Sequence, residues 1–92
     1  MNPIVTLYST RFCPYCIRAK QLLESKGVAY RDIPVDGNRE LREEMIAQSG
    51  RHTVPQIWIG ERHVGGYDDL AALQRAGQLD EILATADAAA VV

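Results

Sequence analysis

Short apolar runs alternate along this chain with segments in which apolar residues recur every three or four positions. The first pattern is typical of buried strands, and the second is typical of helices that bury one face. Strands are predicted at residues 4–8, 28–35, 56–59 and 63–65. The last two are expected to form a hairpin across the three-residue connection Gly60-Glu61-Arg62, because glycine favours such chain reversals.

Helices are predicted between and after these strands, and glycines mark their ends. They span residues 13–26, 38–49 and 68–76, and Leu79, Ile82 and Leu83 mark a short fourth helix. The resulting order β-α-β-α-β-β-α-α predicts an α/β fold in which helices flank a four-stranded mixed sheet. Its first two strands are expected to be parallel, and its last two are expected to be antiparallel.

Length and charge narrow the class of protein. The 92 residues suit one small domain, which we assign to residues 1–84, and an Ala-rich tail at residues 85–92 either extends the last helix or frays. The formal net charge of −2 argues against a nucleic acid partner, because a phosphate backbone calls for a basic surface. The first residues resemble neither a signal peptide nor a membrane span, so we expect a cytoplasmic protein without a membrane partner.

The only two cysteines, Cys13 and Cys16, are separated by Pro14 and Tyr15. Three positions apart on one helix, their sulfurs come within reach of a disulfide. Pro14 suits a first helical turn, so Cys13 is expected at the helix start, where free amides and the helix dipole stabilise a thiolate. Cys16 shares a stripe with the apolar residues of that helix. Cys13 is therefore the predicted nucleophile, and Cys16 is the predicted resolving thiol.

Two structural roles compete with redox exchange for this cysteine pair. A disulfide that encloses only Pro14 and Tyr15 would remove little entropy from the unfolded chain. A zinc site usually takes four ligands, and the remaining candidates, His52 and His63, do not have a paired ligand spacing. Redox exchange is the favoured interpretation, and no metal is expected.

Two further segments have features of a binding site. In residues 52–55 (HTVP), the proline makes Val54 extended and leaves its backbone as a docking edge, although a simple loop-to-strand turn fits the same residues. In residues 65–69 (GGYDD), two glycines permit close approach of a ligand, and the next helix offers free amides to a carboxylate. Asp68 or Asp69 can accept from an ammonium group, although a plain aspartate cap is the alternative.

Taken together, residues 13–16 (CPYC), 53–55 (TVP) and 65–69 (GGYDD) resemble the signature blocks of a dithiol glutaredoxin. Their order and separation match as well, and the resemblance is closest to small bacterial glutaredoxins of the third type. It extends from about Ile4 to Leu83. The resemblance implies a thioredoxin-like fold with a cis Val54–Pro55 peptide against the start of the CxxC helix.

The resemblance also implies that glutathione is the reductant and co-substrate. In this family the γ-glutamyl carboxylate meets the helix amides at the positions of Tyr67 and Asp68, and the amino group meets an aspartate. The Val54 backbone pairs with the glutathione cysteine, and Tyr15 borders the groove. The glutathione site implied for this chain consists of Arg11, Tyr15, Thr53, Val54, Pro55, Gly66, Tyr67 and Asp68.

One position departs from the family pattern. The family usually carries a lysine where this chain has Thr10, near the nucleophile and the glycine carboxylate of glutathione. Thr10 is neutral, and whether the adjacent Arg11 supplies the charge stays open.

The predicted function is glutathione-dependent thiol-disulfide oxidoreduction, in which Cys13 attacks a protein disulfide or a glutathione mixed disulfide. We expect disulfide-containing or glutathionylated proteins as substrates, and a monomer. Two other functions stay open. A dithiol donor recharged by thioredoxin reductase would not need the carboxylate-binding helix start, and an iron–sulfur cluster carrier would use Cys13 and glutathione as ligands. Pro14 resembles the redox-active branch of the family, not the cluster-binding one.

Overall fold

The computed structural model describes the backbone of residues 4–91 and the side chains of residues 4–86. Its elements are β1 (Val5–Ser9), α1 (Pro14–Ser25), β2 (Tyr30–Pro34), α2 (Arg39–Ser49), β3 (Gln56–Ile59), β4 (Arg62–Gly65), α3 (Tyr67–Arg75) and α4 (Leu79–Val91). The predicted order of strands and helices is confirmed. The division into a domain at residues 1–84 and a tail at residues 85–92 stays a prediction, since Val92 and the side chains beyond residue 86 lie outside the described part.

Several element boundaries differ from the prediction, most of them by one or two residues. The connection between β3 and β4 has two residues and not three, because Arg62 already pairs with Ile59 across the hairpin. Strand β2 begins at Tyr30, which pairs with the first residue of β1, so the residues before it have no neighbouring strand. Helix α4 continues to Val91, so residues 85–91 extend the last helix, which is one of the two outcomes that the sequence left open and is in keeping with the high helix propensity of alanine.

The sheet has the strand order β2-β1-β3-β4. Strand β1 pairs in parallel with β2 on one side and antiparallel with β3 on the other, and β4 extends the sheet as the partner of β3. The mixed sheet predicted from the sequence is therefore confirmed. Because β1 is central, the loop that follows its last residue, Ser9, emerges from the middle of the sheet.

Alternate side chains of β1 pack into two different hydrophobic clusters. Val5 and Leu7 belong to the larger cluster, which also takes buried residues from α1, α3 and α4. Tyr8 belongs to the smaller cluster with Val35 and Met45 of α2. Helix α1 enters the larger cluster through Ala19 and Leu23, which are fully buried. This packing sets the position of α1, and hence of its first residue, relative to the sheet. None of the helices within residues 4–91 has the length and apolar character needed to cross a membrane.

Candidate active site

Cys13 occupies the N-cap position of α1, directly before Pro14. Its backbone is extended, and its sulfur accepts a hydrogen bond from the backbone N–H of Cys16 at 3.2 Å. A free helical N–H and the positive end of the helix dipole both favour negative charge at this point. The predicted location of Cys13 at the helix start is confirmed, and the geometry there stabilises a thiolate.

Cys16 lies one turn further along α1 and is fully buried. Burial, followed by the hydrogen bond with Cys13, raises the pKa of Cys16 to about 12, although a backbone hydrogen bond from Thr10 and the charge of Lys20 act in the opposite direction. Cys16 is therefore a neutral thiol at neutral pH. Both cysteines are in the reduced form. The pair thus combines one partly accessible sulfur with one shielded sulfur.

The loop before β3 approaches Cys13 from the neighbouring strand. The Val54–Pro55 peptide is cis, as the family resemblance implied. The Cys13 thiol lies 3.8 Å from the carbonyl oxygen of Val54, to which it donates a weak hydrogen bond. Within the described residues, no backbone hydrogen bond engages the Val54 N–H. Val54 therefore presents a free donor close to the nucleophilic sulfur.

The start of α3 forms another wall of the site. Gly66 is the N-cap residue, and its N–H donates to the Asp69 carboxylate at 2.9 Å. Arg51 donates to the same carboxylate oxygen at 3.1 Å. The Gly66 hydrogen bond and the Arg51 charge hold the pKa of Asp69 below its ordinary value. Asp68, by contrast, is exposed, so the structure distinguishes the two aspartates: Asp69 organises the turn and Asp68 presents a carboxylate to solvent.

A groove of about 340 Å³ lies between these segments. Its lining consists of Tyr15, Arg51, Thr53, Val54, Pro55, Gly66, Tyr67, Asp68 and Asp69. Seven of the eight residues that the resemblance implied for glutathione are thus brought together. Arg11 is the eighth and does not line the groove. Its Nε pairs with Asp36 Oδ2 at 2.8 Å, and its side chain is 77% exposed.

Two groove residues stand outside the implied glutathione site: Arg51 was not predicted, and Asp69 was named only as an alternative to Asp68 for an ammonium group or as a helix cap. Their ion pair joins positions 18 residues apart, so no local pattern indicates it. Asp69 carried a usable signal, because an acid three residues after a helix N-cap commonly accepts from the cap N–H. Arg51 carried none beyond its closeness in sequence to Thr53.

A buried glutamine supports the groove from behind. Gln56 is fully buried, and its Nε2 donates to the carbonyl oxygen of Thr53 at 3.0 Å and to the Thr53 hydroxyl at 3.3 Å. Its Oε1 lies 2.8 Å from His63 Nε2. Since both amide N–H groups face Thr53, Oε1 accepts and His63 Nε2 carries the proton. Burial and the Arg51 charge lower the pKa of His63, which keeps the ring neutral. No sequence pattern predicted this chain of hydrogen bonds.

Within the part of the chain that the structure describes, no group of three or more histidine, cysteine, aspartate or glutamate side chains converges on one point. His52 and His63 do not join the two cysteines in such a group.

Comparisons with known sequences agree on one family. Residues 5–64 match the family model described as Glutaredoxin. A protein of Pseudomonas aeruginosa named Glutaredoxin is 62% identical over 81 residues, which cover 88% of this chain and 96% of that protein. Glutaredoxin 3 of Escherichia coli is 57% identical over 79 residues, which cover 86% of this chain and 95% of that protein.

Solved structures share the same architecture. A buckwheat glutaredoxin–glutathione complex superposes with a TM-score of 0.85 at 28% identity, covering 92% of this chain and 80% of that one. The solution structure of glutaredoxin from Brucella melitensis has a TM-score of 0.76 at 52% identity, covering 86% of each chain. The sheet and helices described above therefore form the thioredoxin-like fold that the resemblance implied.

The difference between the two sulfurs predicts different rates of alkylation. In a Cys13→Ser variant the remaining thiol of Cys16 is buried, so iodoacetamide at pH 8 should modify it at least about tenfold more slowly than it modifies Cys13 in a Cys16→Ser variant, because the thiolate is the reactive form. Mass spectrometry of quenched samples measures both rates. In guanidinium chloride the two rates should converge, and equal rates in the folded variants would contradict the assignment.

The contacts of Asp69 predict a loss of stability. Asp69→Ala should lower the free energy of unfolding by about 1 kcal/mol at pH 7, mostly through the lost cap contact with Gly66, because solvent screens the half-exposed Arg51 pair. The pKa of Asp69 is lower in the folded protein than in the unfolded chain. The contribution of Asp69 to the free energy of unfolding is therefore fully present above the unfolded-state pKa and is lost as the pH falls through the folded-state pKa. The difference from the parent protein should therefore shrink below about pH 4.

Urea titrations at several pH values measure this effect. Asp68→Ala is the matched control, since Asp68 is exposed and its removal should change stability by less than about 0.5 kcal/mol. Equal losses in the two variants would contradict the structural role of Asp69.

Proposed function

This chain belongs to the glutaredoxin family and is a thiol-disulfide oxidoreductase, and we propose that Cys13 and Cys16 carry out its reaction with glutathione as the reductant. The observation that carries the proposal is the N-cap position of Cys13, whose sulfur accepts from the Cys16 N–H and lies 3.8 Å from the carbonyl oxygen of Val54, a residue of the groove. A glutaredoxin of the same fold forms a complex with glutathione, which supports glutathione as the co-substrate of this chain.

The first step is attack of the Cys13 thiolate on a substrate disulfide. A bond forms between the Cys13 sulfur and one substrate sulfur, and the other substrate sulfur leaves as a thiolate. Where the substrate is a glutathione mixed disulfide, Cys13 takes the glutathionyl group and a second glutathione removes it as glutathione disulfide. This route uses Cys13 alone.

Protein disulfides need the second sulfur. Cys16 attacks the Cys13 sulfur of the mixed disulfide, releases the reduced protein and closes the Cys13–Cys16 disulfide. Two glutathiones then reduce that disulfide and leave as one glutathione disulfide, so two electrons pass from glutathione to the substrate.

The coupling between the two sulfurs supports this order of steps. Besides burial, the hydrogen bond with Cys13 and its charge raise the pKa of Cys16. In the mixed disulfide the Cys13 sulfur carries no charge, so both of these effects disappear. The pKa of Cys16 then falls, because burial is left to oppose the Thr10 hydrogen bond and the Lys20 charge without the contribution of Cys13. Cys16 is thereby held as a thiol during the first step and becomes more acidic for the second.

The groove has complementary groups for the ends of glutathione. The first amides of α3, at Tyr67 and Asp68, face a carboxylate well, and the Asp68 carboxylate suits an ammonium group. The free N–H of Val54 suits the backbone of the central cysteine. Arg51 lines the groove and adds a cation for the carboxylates, whereas Arg11 is held outside it by Asp36.

We extend the proposal to its setting. The substrates are glutathionylated and disulfide-containing proteins of the cytoplasm. The chain works as a monomer.

A coupled assay tests the function and the roles of the cysteines. With glutathione, glutathione reductase and NADPH, the protein should reduce the mixed disulfide of glutathione and 2-mercaptoethanol, and thioredoxin reductase should not replace the glutathione system. Cys13→Ser should abolish turnover, whereas Cys16→Ser should retain it on this substrate and lose it on a protein disulfide. Turnover that requires thioredoxin reductase and does not occur with glutathione would exclude glutathione as the reductant. Loss of both activities in both variants would refute the division of roles between the two cysteines.

Loss of the Asp68 charge is expected to weaken the binding of glutathione without changing the reactivity of Cys13. Asp68→Asn removes the charge that faces the ammonium group and should raise the KM for glutathione by about fivefold or more, because a charge-assisted hydrogen bond is weakened. The rate of Cys13 alkylation should stay within about twofold, since Asp68 is not among the contacts of that sulfur.

Glu61→Gln is the matched control for Asp68→Asn. Glu61 is an exposed acid in the β3–β4 connection, and its neutralisation changes the net charge by the same amount. Its KM should equal that of the parent protein. A KM for Asp68→Asn that also stays unchanged would mean that another group binds the ammonium.

A further inference from the structure

Three large hydrophobic side chains stand exposed beside the nucleophile. Phe12 is 90% exposed, Tyr15 is 52% exposed and Ile17 is 48% exposed, and these are the exposed large hydrophobics of the described residues. All three lie within four positions of Cys13. Single exposed apolar residues are common, but their concentration around one reactive sulfur is typical of an interaction surface.

The exposure of Phe12 has no explanation in the fold. Phe12 precedes the N-cap of α1 and Ile17 is the fourth residue of that helix, which is the spacing of a hydrophobic staple. A staple would bury the ring against Ile17, yet the ring remains 90% exposed. The Arg11 guanidinium lies 5.9 Å from the ring centroid, and it is exposed as well. The ring is therefore free to enter a partner.

The same segment is cationic in an acidic protein. Residues 9–21 contain three of the ten lysines and arginines and none of the twelve acids. Asp36 and Asp32, from other parts of the chain, pair with Arg11 and Lys20. Arg18 has no acidic partner among the described residues, and its guanidinium lies 5.6 Å from the centroid of the Tyr15 ring. A local positive charge of this kind attracts acidic partners and repels basic ones.

We propose that Phe12, Ile17 and Arg18 form a docking face for protein substrates whose reactive cysteine has apolar and acidic neighbours. The proposal rests on the function proposed above and specifies its substrates. The apolar neighbour covers Phe12 and Ile17, and the acid pairs with Arg18, while Cys13 attacks the disulfide of the substrate. With a glutathionylated substrate, the glutathionyl group passes to Cys13 and the docked substrate leaves as its thiolate. None of the three residues lines the glutathione groove, so the docking face acts on the protein and not on glutathione.

Two glutathionylated peptides test this proposal. They share one central cysteine and differ only in its neighbours, which are leucine and glutamate in one peptide and serine and lysine in the other. The kcat/KM for deglutathionylation, measured in the coupled assay at low salt, should be about tenfold higher for the acidic apolar peptide. Added salt should reduce the difference, because it screens the pairing with Arg18.

Variants of the docking face identify the residues responsible. Arg18→Glu should abolish the preference, and Phe12→Ser should lower kcat/KM for the acidic apolar peptide by about fivefold. Both should leave turnover of the mixed disulfide of glutathione and 2-mercaptoethanol within about twofold. Arg62→Glu is the matched control, since Arg62 is an exposed arginine at the end of the sheet away from Cys13. Arg62 pairs with Ile59, which pairs with the first residue of β1, whereas Cys13 follows the last residue of β1. It should keep the full preference.

The outcomes separate the two proposals. The docking face is overturned if kcat/KM is equal for both peptides, or if Arg18→Glu and Phe12→Ser keep the preference of the parent protein. Turnover of the small mixed disulfide would still support the proposed function in that case. Absence of turnover on the small mixed disulfide overturns the proposed function, and the docking face falls with it.

Discussion

The hydrogen bond from the Cys16 N–H to the Cys13 sulfur ties the chemistry of this protein to the first turn of α1. A sulfur at the N-cap lies where helical amides have no other partner, so the backbone itself stabilises its negative charge. The hydrophobic core sets the position of this first helical turn, because Ala19 and Leu23 anchor α1 in the larger hydrophobic cluster. Burial of the helix thus sets the location of the nucleophile.

The pairing of β1 with β3 brings the second part of the site to that point. Tyr8 pairs with Gln56, so the loop before β3 lies beside the segment that follows β1. Gln56 then binds Thr53 and keeps the loop turned toward Cys13. A buried amide with every polar atom satisfied is well suited to this role, since it can neither shift freely nor lose a partner without cost. The groove therefore depends on hydrogen bonds inside the sheet as well as on the residues that line it.

Much of this arrangement follows from local sequence. Pro14 and the apolar stripe that includes Cys16 predicted which sulfur is partly accessible and which is buried, because both depend on a single helix. The family resemblance supplied the cis Val54–Pro55 peptide and most of the groove. The pairs Arg51–Asp69 and Gln56–His63 were not predicted, since each joins two separate elements through side chains. The predicted length of the β3–β4 connection was wrong for a similar reason. Arg62 is polar, and its pairing with Ile59 depends on backbone register and not on side-chain pattern.

The two surfaces next to Cys13 separate two kinds of recognition. The groove is built from backbone amides, a cis-proline loop and the Asp69 turn, all fixed by internal contacts, and such a preorganised site suits one small ligand. Phe12 and Arg18 lie outside it, with few contacts to hold them. Cys13 follows Phe12 in the chain, and its sulfur lies 3.8 Å from the carbonyl oxygen of the groove residue Val54, so a protein substrate can meet the nucleophile without occupying the groove. Glutathione can then reach the same sulfur from the groove once the protein has left. Substitutions at Phe12 or Arg18 can therefore change which protein substrates are preferred without changing the reduction of Cys13 by glutathione.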